Sequence, residues 1–291
     1  MRRLSTSRLW RATQAGIALV LLGVLLTDAV LPAAAPEGAE KPKPSSKKGT
    51  IVITIVYDNY PFDKRLQTSW GFACVVDGLP ERVLFDTGGD AAVLLANLQK
   101  LKIDPKTIDA VVLSHIHGDH TGGLEGFLRA NSKVKVFMPK VFPERLKERV
   151  RKSGATLVET DRPAKICEGA WTTGVLDGGI PEQGIYLEHP EGPIVVTGCA
   201  HPGIVQLAKA AKAHAGKPVY AVLGGFHMGG ASRRQIETVI EGLKGLGVRR
   251  VAPSHCSGDT TRLVMQEAFG KGYMTSGVGA RLTFEAAQTT P

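Results

Sequence analysis

The apolar run Ala110-Val111-Val112-Leu113 passes directly into Ser114-His115-Ile116-His117-Gly118-Asp119-His120-Thr121-Gly122-Gly123. Branched apolar residues in such a run read as a buried strand, and the polar stretch behind them as the turn at its end. His115, His117, Asp119 and His120 are four cation ligands by chemistry, all within six residues. Buried polar groups need partners, and core packing does not account for three imidazoles and a carboxylate at one strand end. Nitrogen and carboxylate donors suit zinc, and also iron or manganese. The fold must therefore bury this strand while keeping one end of it open for an ion.

The flanking chain narrows the class. Arg2, Arg3, Arg8 and Arg11 precede an uncharged apolar stretch at residues 15–26, and Ala33-Ala34-Ala35 follows. This is the layout of an export signal peptide over residues 1–35. The stretch is short for a membrane span, so a cleaved leader and a periplasmic protein are expected, with an uncleaved N-terminal membrane anchor as the alternative. Residues 36–49, rich in Pro, Lys, Glu and Ser, read as a flexible linker, and residues 50–286 as the catalytic domain. The formal charge is +9, but residues 1–49 hold eight Lys/Arg against three Asp/Glu, leaving about +4 for the remainder. That balance does not ask for a nucleic-acid partner. A small-molecule substrate is expected, with membrane contact only through an uncleaved leader. The four cysteines (Cys74, Cys167, Cys199, Cys256) contain no CxxC pair; export would permit a Cys74–Cys167 disulfide, which the sequence alone does not establish.

From Thr50 onward strands and helices alternate. Ile51-Val52-Ile53-Thr54-Ile55-Val56-Tyr57 is a strand ending in the turn Asp58-Asn59, and Asp77-Gly78 marks a hairpin. Helical spacing covers residues 91–101, 143–153, 204–214, 232–246 and 262–269, with a shorter helix at 123–130. Strands are expected at 134–138, 157–159, 172–175, 184–187, 193–197, 219–223 and 251–253, and extended segments at 273–284. Two sheets face to face with helices outside fit this order.

Four further strands run into polar or Gly-rich turns: Phe85-Asp86-Thr87-Gly88-Gly89, Thr197-Gly198-Cys199-Ala200-His201-Pro202-Gly203, Leu223-Gly224-Gly225-Phe226-His227 and Pro253-Ser254-His255-Cys256-Ser257-Gly258. In α/β sheets, sites gather where strands end, so these ends point to one cleft. Together with the 115–123 run, they resemble the metallo-β-lactamase superfamily. Trp70-Gly71-Phe72 and the last three turns are similar to its dihydropterin–ribofuranosylaminobenzene phosphate synthase-like branch, over roughly residues 50–285.

The resemblance implies an α/β (α+β) fold, a four-layer αββα sandwich with one or two zinc ions at the cleft edge. It implies that His115, His117 and His201 hold a first metal, and Asp119, His120 and His255 a second. Many relatives place a bridging aspartate where this chain has Cys199. That leaves a thiolate ligand, a one-metal site or a weakly held second metal all open, with His201 preferred over Cys199 as ligand. Asp86 reads as a hydrogen-bond support behind the ligand histidines. Asp119 reads as orienting the attacking water or accepting its proton, and His227 as a proton donor or substrate anchor, with a helix-start histidine satisfied by backbone as the alternative. His189 and His214 read as surface residues, and Cys256 as a small buried one.

A cation with three protein ligands lowers the pKa of its bound water to about 7. The expected function is a metal-dependent hydrolase using metal-bound hydroxide on an ester, phosphoester, lactone or amide-like bond. The alternatives are a transferase or synthase acting on a pterin and a phosphorylated ribosyl arene, and a non-catalytic metal-binding sensor. β-Lactamase activity is not expected, because the nearer motif match is to a different branch.

Overall fold

A computed structural model describes residues 49–285. The expected leader at 1–35 and the expected linker at 36–49, apart from its last residue, lie outside the described residues. No helix among the described residues is long and apolar enough to cross a membrane.

Two sheets stack face to face. The first takes β1 (Thr50–Tyr57), β2 (Ala73–Asp77), β3 (Val83–Phe85), β4 (Ala110–Val112), β5 (Lys135–Pro139), β6 (Thr156–Thr160) and the last strand, β13 (Arg281–Glu285). Its order is β13-β1-β2-β3-β4-β5-β6, antiparallel from β13 to β3 and parallel from β3 to β6. The second takes β7 (Lys165–Cys167), β8 (Ala170–Thr172), β9 (Ile185–Leu187), β10 (Ile194–Thr197), β11 (Ala221–Gly225) and β12 (Arg250–Ser254), in the order β12-β11-β10-β9-β8-β7. Strands β10, β11 and β12 run parallel.

The alternation of side chains explains the layering, because successive residues of a strand face opposite sides. Ile51, Ile53, Cys74, Val76, Val83, Phe85, Val112, Ile194, Val196, Leu223 and Ala252 meet between the sheets. Their strand neighbours Val75, Leu84 and Val111 turn outward under α1 (Ala91–Lys100), α3 (Leu124–Ala130) and α4 (Glu144–Ser153). Val195, Val222 and Val251 turn outward under α5 (Ile204–Ala215), α6 (Arg233–Gly245) and α7 (Asp259–Phe269). This is the expected four-layer αββα sandwich. Helix α1 starts where the Asp90 carboxylate accepts the Ala92 and Val93 N–H groups, and α6 at a capping box between Ser232 and Gln235.

Some local expectations shift. The strand expected at 172–175 lies earlier, at β8, and pairs with β7, which the sequence pattern did not single out. Both are short, and β8 carries the exposed edge of Trp171, so alternation is barely readable there. Cys74 and Cys167 are separate free thiols in the intersheet core, not a disulfide. His189 is not a surface residue: it is 5% exposed, its ring stacks on Tyr220, and Nε2 meets the Glu285 carbonyl at 3.1 Å. The return of β13 alongside the second sheet covers it, which a turn composition of Glu-His-Pro-Glu gives no sign of.

Candidate metal centre

The C-terminal ends of β1, β3, β4, β10, β11 and β12 open on one cleft. Four of these exits pass through a non-glycine residue with left-handed backbone: Asp86 (φ 56°), Ala200 (61°), His227 (50°) and His255 (48°). Such angles are strained for L-residues and persist only where the surroundings enforce them. They turn the chain sharply off each strand and aim its next side chains into the cleft.

After β4, the loop carrying His115 and His117 and the short helix α2 (Gly118–Thr121), which carries Asp119 and His120, present the four side chains together. Asp86, fully buried at the end of β3, holds this loop from behind. Its carboxylate accepts the Ser114 N–H and the Ser114 hydroxyl, each at 2.7 Å, and the His120 Nδ1–H at 2.8 Å. The Ser114 hydroxyl, its hydrogen given to Asp86, accepts from His115 Nδ1 at 2.9 Å. On the other side, Asn59 Oδ1 accepts from His255 Nδ1 at 3.0 Å, and Asn59 Nδ2 donates to the His255 carbonyl. These bonds fix the tautomers, so Nε2 of His115, His120 and His255 carry lone pairs toward a common centre.

Gly71 completes the near wall. A Cβ there would lie 2.3 Å from the Asp119 carbonyl, so only glycine allows the Trp70–Phe72 segment to press against the ligand loop. Phe72 N–H donates to that carbonyl at 3.3 Å. Trp70, 59% exposed, lies beside the His255 ring at a centroid distance of 4.8 Å.

The far wall rests on two buried carboxylates that the sequence pattern passed over. Glu182 accepts three consecutive backbone N–H groups, from Cys199 and Ala200 at 2.9 Å and His201 at 2.8 Å. It thereby shapes the loop that delivers Cys199 and His201. Asp58 accepts from the Ser254 hydroxyl and from the His255 N–H. Burial raises the carboxyl pKa of both residues above the ordinary value, against the opposing pull of these hydrogen bonds. Pro181-Glu182-Gln183-Gly184 and Asp58-Asn59 read as ordinary polar turns; only their depth of burial, which no local pattern reveals, sets them apart.

The donor atoms converge in overlapping groups. His115, His117 and His201 have ligand atoms within 4.8 Å of one another, as do Asp119, His120 and His255, and also His115, His120 and Cys199. Cys199 Sγ lies 3.2 Å from His120 Nε2, where the resemblance implies a bridging aspartate. His227, exposed after β11, places its ring 4.3 Å from that of His201. Its backbone N–H donates to Cys256 Sγ at 3.3 Å, and its ring turns to the same sulfur, a contact that raises the His227 pKa above the ordinary value. All six candidate ligands and Cys199 therefore meet in one cleft.

The arrangement fits a divalent cation. His115 Nε2 faces His117 Nδ1 at 3.1 Å, and His201 Nε2 and His255 Nε2 are buried without a hydrogen-bond partner. Asp119 Oδ2 lies 3.3 Å from His255 Nε2 and 3.6 Å from His120 Nε2. Nitrogens this crowded resist protonation. Burial first, then the neighbouring imidazoles, hold His115 well below the usual histidine range, and burial with His227 pushes His201 down to about 4. For His120, burial works against charge but Asp86 outweighs it, and its pKa rises. Burial would lift Asp119, yet His255 and His120 hold its carboxyl below the usual range. His115 and His201 held neutral and Asp119 held ionised are in the ligand forms a metal needs, whereas His120, raised by its carboxylate neighbours, gives up a proton to bind one.

A model of the metallo-β-lactamase superfamily matches residues 74–255. The chain belongs to this superfamily. It is 32% identical over 271 residues to the 7,8-dihydropterin-6-methyl-4-(β-D-ribofuranosyl)-aminobenzene-5′-phosphate synthase of Methanocaldococcus jannaschii, covering 78% of this chain and 92% of that protein, and it falls in that branch. Among solved structures, a metal-dependent hydrolase of the β-lactamase superfamily superposes with a TM-score of 0.68 at 26% identity, over 81% of this chain and 99% of that one. A diphosphatase of the PhnP family shares the fold at 16% identity, with a TM-score of 0.52 over 81% of this chain and 98% of that one. The candidate donors gather at the strand ends, with Cys199 beside His120.

Proposed function

We propose that the chain is a metal-dependent hydrolase opening an ester, phosphoester, lactone or amide-like bond of a small molecule. The observation that carries this reading is the pair of abutting donor sets, His115/His117/His201 and Asp119/His120/His255, at an open strand end. The nitrogen-rich donors favour zinc, one ion or two, with iron or manganese compatible. A bound divalent cation acidifies water and polarises the oxygen of the bond to be broken.

The chain's own residues do the rest. The Asp119 side chain, 22% exposed, reaches from the ligand ring to the cleft and is suited to accept the proton of the attacking water. His227, exposed beside His201, is placed to donate a proton to the leaving group or to grip an anionic substituent. Asp86, Ser114 and Asn59 keep His120, His115 and His255 in their lone-pair-inward tautomers, while Glu182 and Asp58 hold the backbone that carries His201 and His255, so little reorganisation is needed at the moment of reaction.

A second reading, a synthase joining a pterin to a phosphorylated ribosyl arene, draws support from the 32% identity to the archaeal synthase. Both readings use an electrophile held at the same centre; they differ in whether water or an arene attacks. We place the chain outside the cytoplasm, exported behind its N-terminal leader or anchored by it, which sets it apart from cytoplasmic pterin substrates. The deciding experiment is turnover against ester, phosphodiester, lactone and β-lactam panels, with and without a chelator, in wild type, His115→Ala and His120→Ala. Hydrolysis abolished by all three treatments supports the proposal. Activity surviving them overturns it, and stoichiometric metal with no turnover on any panel marks a sensor instead.

A further inference from the structure

Gly225 ends β11 between two other strand ends that carry sulfur. A Cβ at this position would come within 2.3 Å of the Gly198 carbonyl oxygen, 2.8 Å of Cys256 Sγ and 3.2 Å of Cys199 Cα. The absence of a side chain is therefore what allows Cys199, beyond β10, and Cys256, beyond β12, to meet across the strand that separates them. Cys256 Sγ lies 3.7 Å from the Cys199 carbonyl, and the two thiols are not joined as a disulfide. The sulfurs of Cys199 and Cys256 and one ring nitrogen of His255 lie within 4.8 Å of one another. His255 Nδ1 is committed to Asn59, whereas its Nε2 is buried without a hydrogen-bond partner. The other two cysteines sit apart, in the core between the sheets.

We propose that Cys199, Cys256 and His255 form a sulfur-rich cation position that takes a thiophilic divalent ion such as zinc or cadmium. Thiolates are soft donors that select such ions over magnesium or manganese. Zinc–sulfur bonds of about 2.3 Å at a tetrahedral ion set donors roughly 3.8 Å apart, so atoms that lie within 4.8 Å of one another close by at most about an ångström around an ion. Binding releases one proton from each thiol to solvent. His255 also belongs to the Asp119/His120 set, so an ion there has an oxygen-donor side and a sulfur-donor side to choose between. A hard ion settles toward Asp119, and a soft one toward the cysteines. The inference rests on the cleft being a metal centre, and not on the reaction being hydrolysis.

The test uses the purified full-length chain, reduced and stripped of metal, titrated with Co²⁺ or Cd²⁺. Sulfur-to-metal charge-transfer absorption is expected to saturate in wild type, to fall by about half in Cys256→Ser and in Cys199→Ser, and to vanish in the double variant, as thiolate donors are removed. It should persist in His115→Ala, which dismantles the nitrogen-rich set. In wild type, Cd²⁺ should protect Cys199 and Cys256 from iodoacetamide, and Mn²⁺ should not. An undiminished band in a natively folded Cys256→Ser, or equal alkylation of Cys256 with and without Cd²⁺, overturns the proposal. Because the alkylation arm uses only wild type, a variant that fails to fold does not blunt the test. Chelator-insensitive turnover, by contrast, would defeat the hydrolase reading and leave the absorption result standing.

Discussion

The two walls of the cleft are built in opposite ways. The wall on the first sheet is one loop, His115 to His120, whose donors arrive within six residues and whose main support, Asp86, sits about thirty residues back in sequence. The wall on the second sheet gathers Cys199, His201, His227 and His255 from three strand ends, and its supports are split: Glu182 holds the Cys199–His201 loop from 17 to 19 residues away, whereas Asn59 meets His255 across 196 residues. The first wall is written as a spacing. The second needs three strands side by side and one tie to the first sheet, so its geometry depends on the whole sandwich being closed.

Removing one support from each wall should expose this difference. The largest effect is expected for Asp86→Ala, which strips partners from the Ser114 N–H, the Ser114 hydroxyl and His120 Nδ1, all fully buried. Losing a buried, charge-assisted set of this kind costs about 3–5 kcal/mol, to be read as a lower urea midpoint, with metal affinity down roughly 10- to 100-fold. Glu182→Ala leaves three backbone N–H groups of the Cys199–His201 loop without their acceptor. A loss of about 1–3 kcal/mol is expected, with the metal deficit confined to the ion that depends on His201. Equal losses at both positions of the centre would mean that the two walls are not independent.

A smaller effect separates them by pH in the metal-free protein. His201 has its folded pKa depressed from 6.5 to about 4, so the unfolded chain takes up a proton that the folded chain refuses between these values. Its contribution to stability is complete above pH 6.5 and is lost as the pH falls toward 4. The melting temperature of the apo protein should drop over that window, less steeply in His201→Gln, and metal loading should remove the difference. The smallest structural effect belongs to His227→Ala. An exposed position should cost under about 0.5 kcal/mol and leave metal content intact, while loss of a proton donor lowers turnover roughly 10²- to 10⁴-fold.

The same contrast explains what the sequence could convey. Strand alternation and helical spacing are local, so the four layers, the helices over 91–101 and 232–246 and the cleft at the strand ends were legible. So was the crowding of His115, His117, Asp119 and His120, because their spacing alone resists a packing explanation. Glu182 and Asp58 were not legible: each sits in a turn of common composition, and its importance comes from burial produced by elements far away in the chain. His189 misled for the same reason, since β13 covers it only after the chain has returned. Gly225 was noted as part of a turn, yet its role, making room for the Gly198 carbonyl, the Cys199 backbone and the Cys256 sulfur, appears only once β10, β11 and β12 lie side by side.

Asp86, Ala200, His227 and His255 wind their loops through left-handed backbone. Each stands at a different strand end, so the curvature of the rim is set only when the sheets close. The polypeptide stores its tightest turns where the donors sit, and glycine at any of the four positions would relieve that tension while loosening the grip on the side chains beyond it.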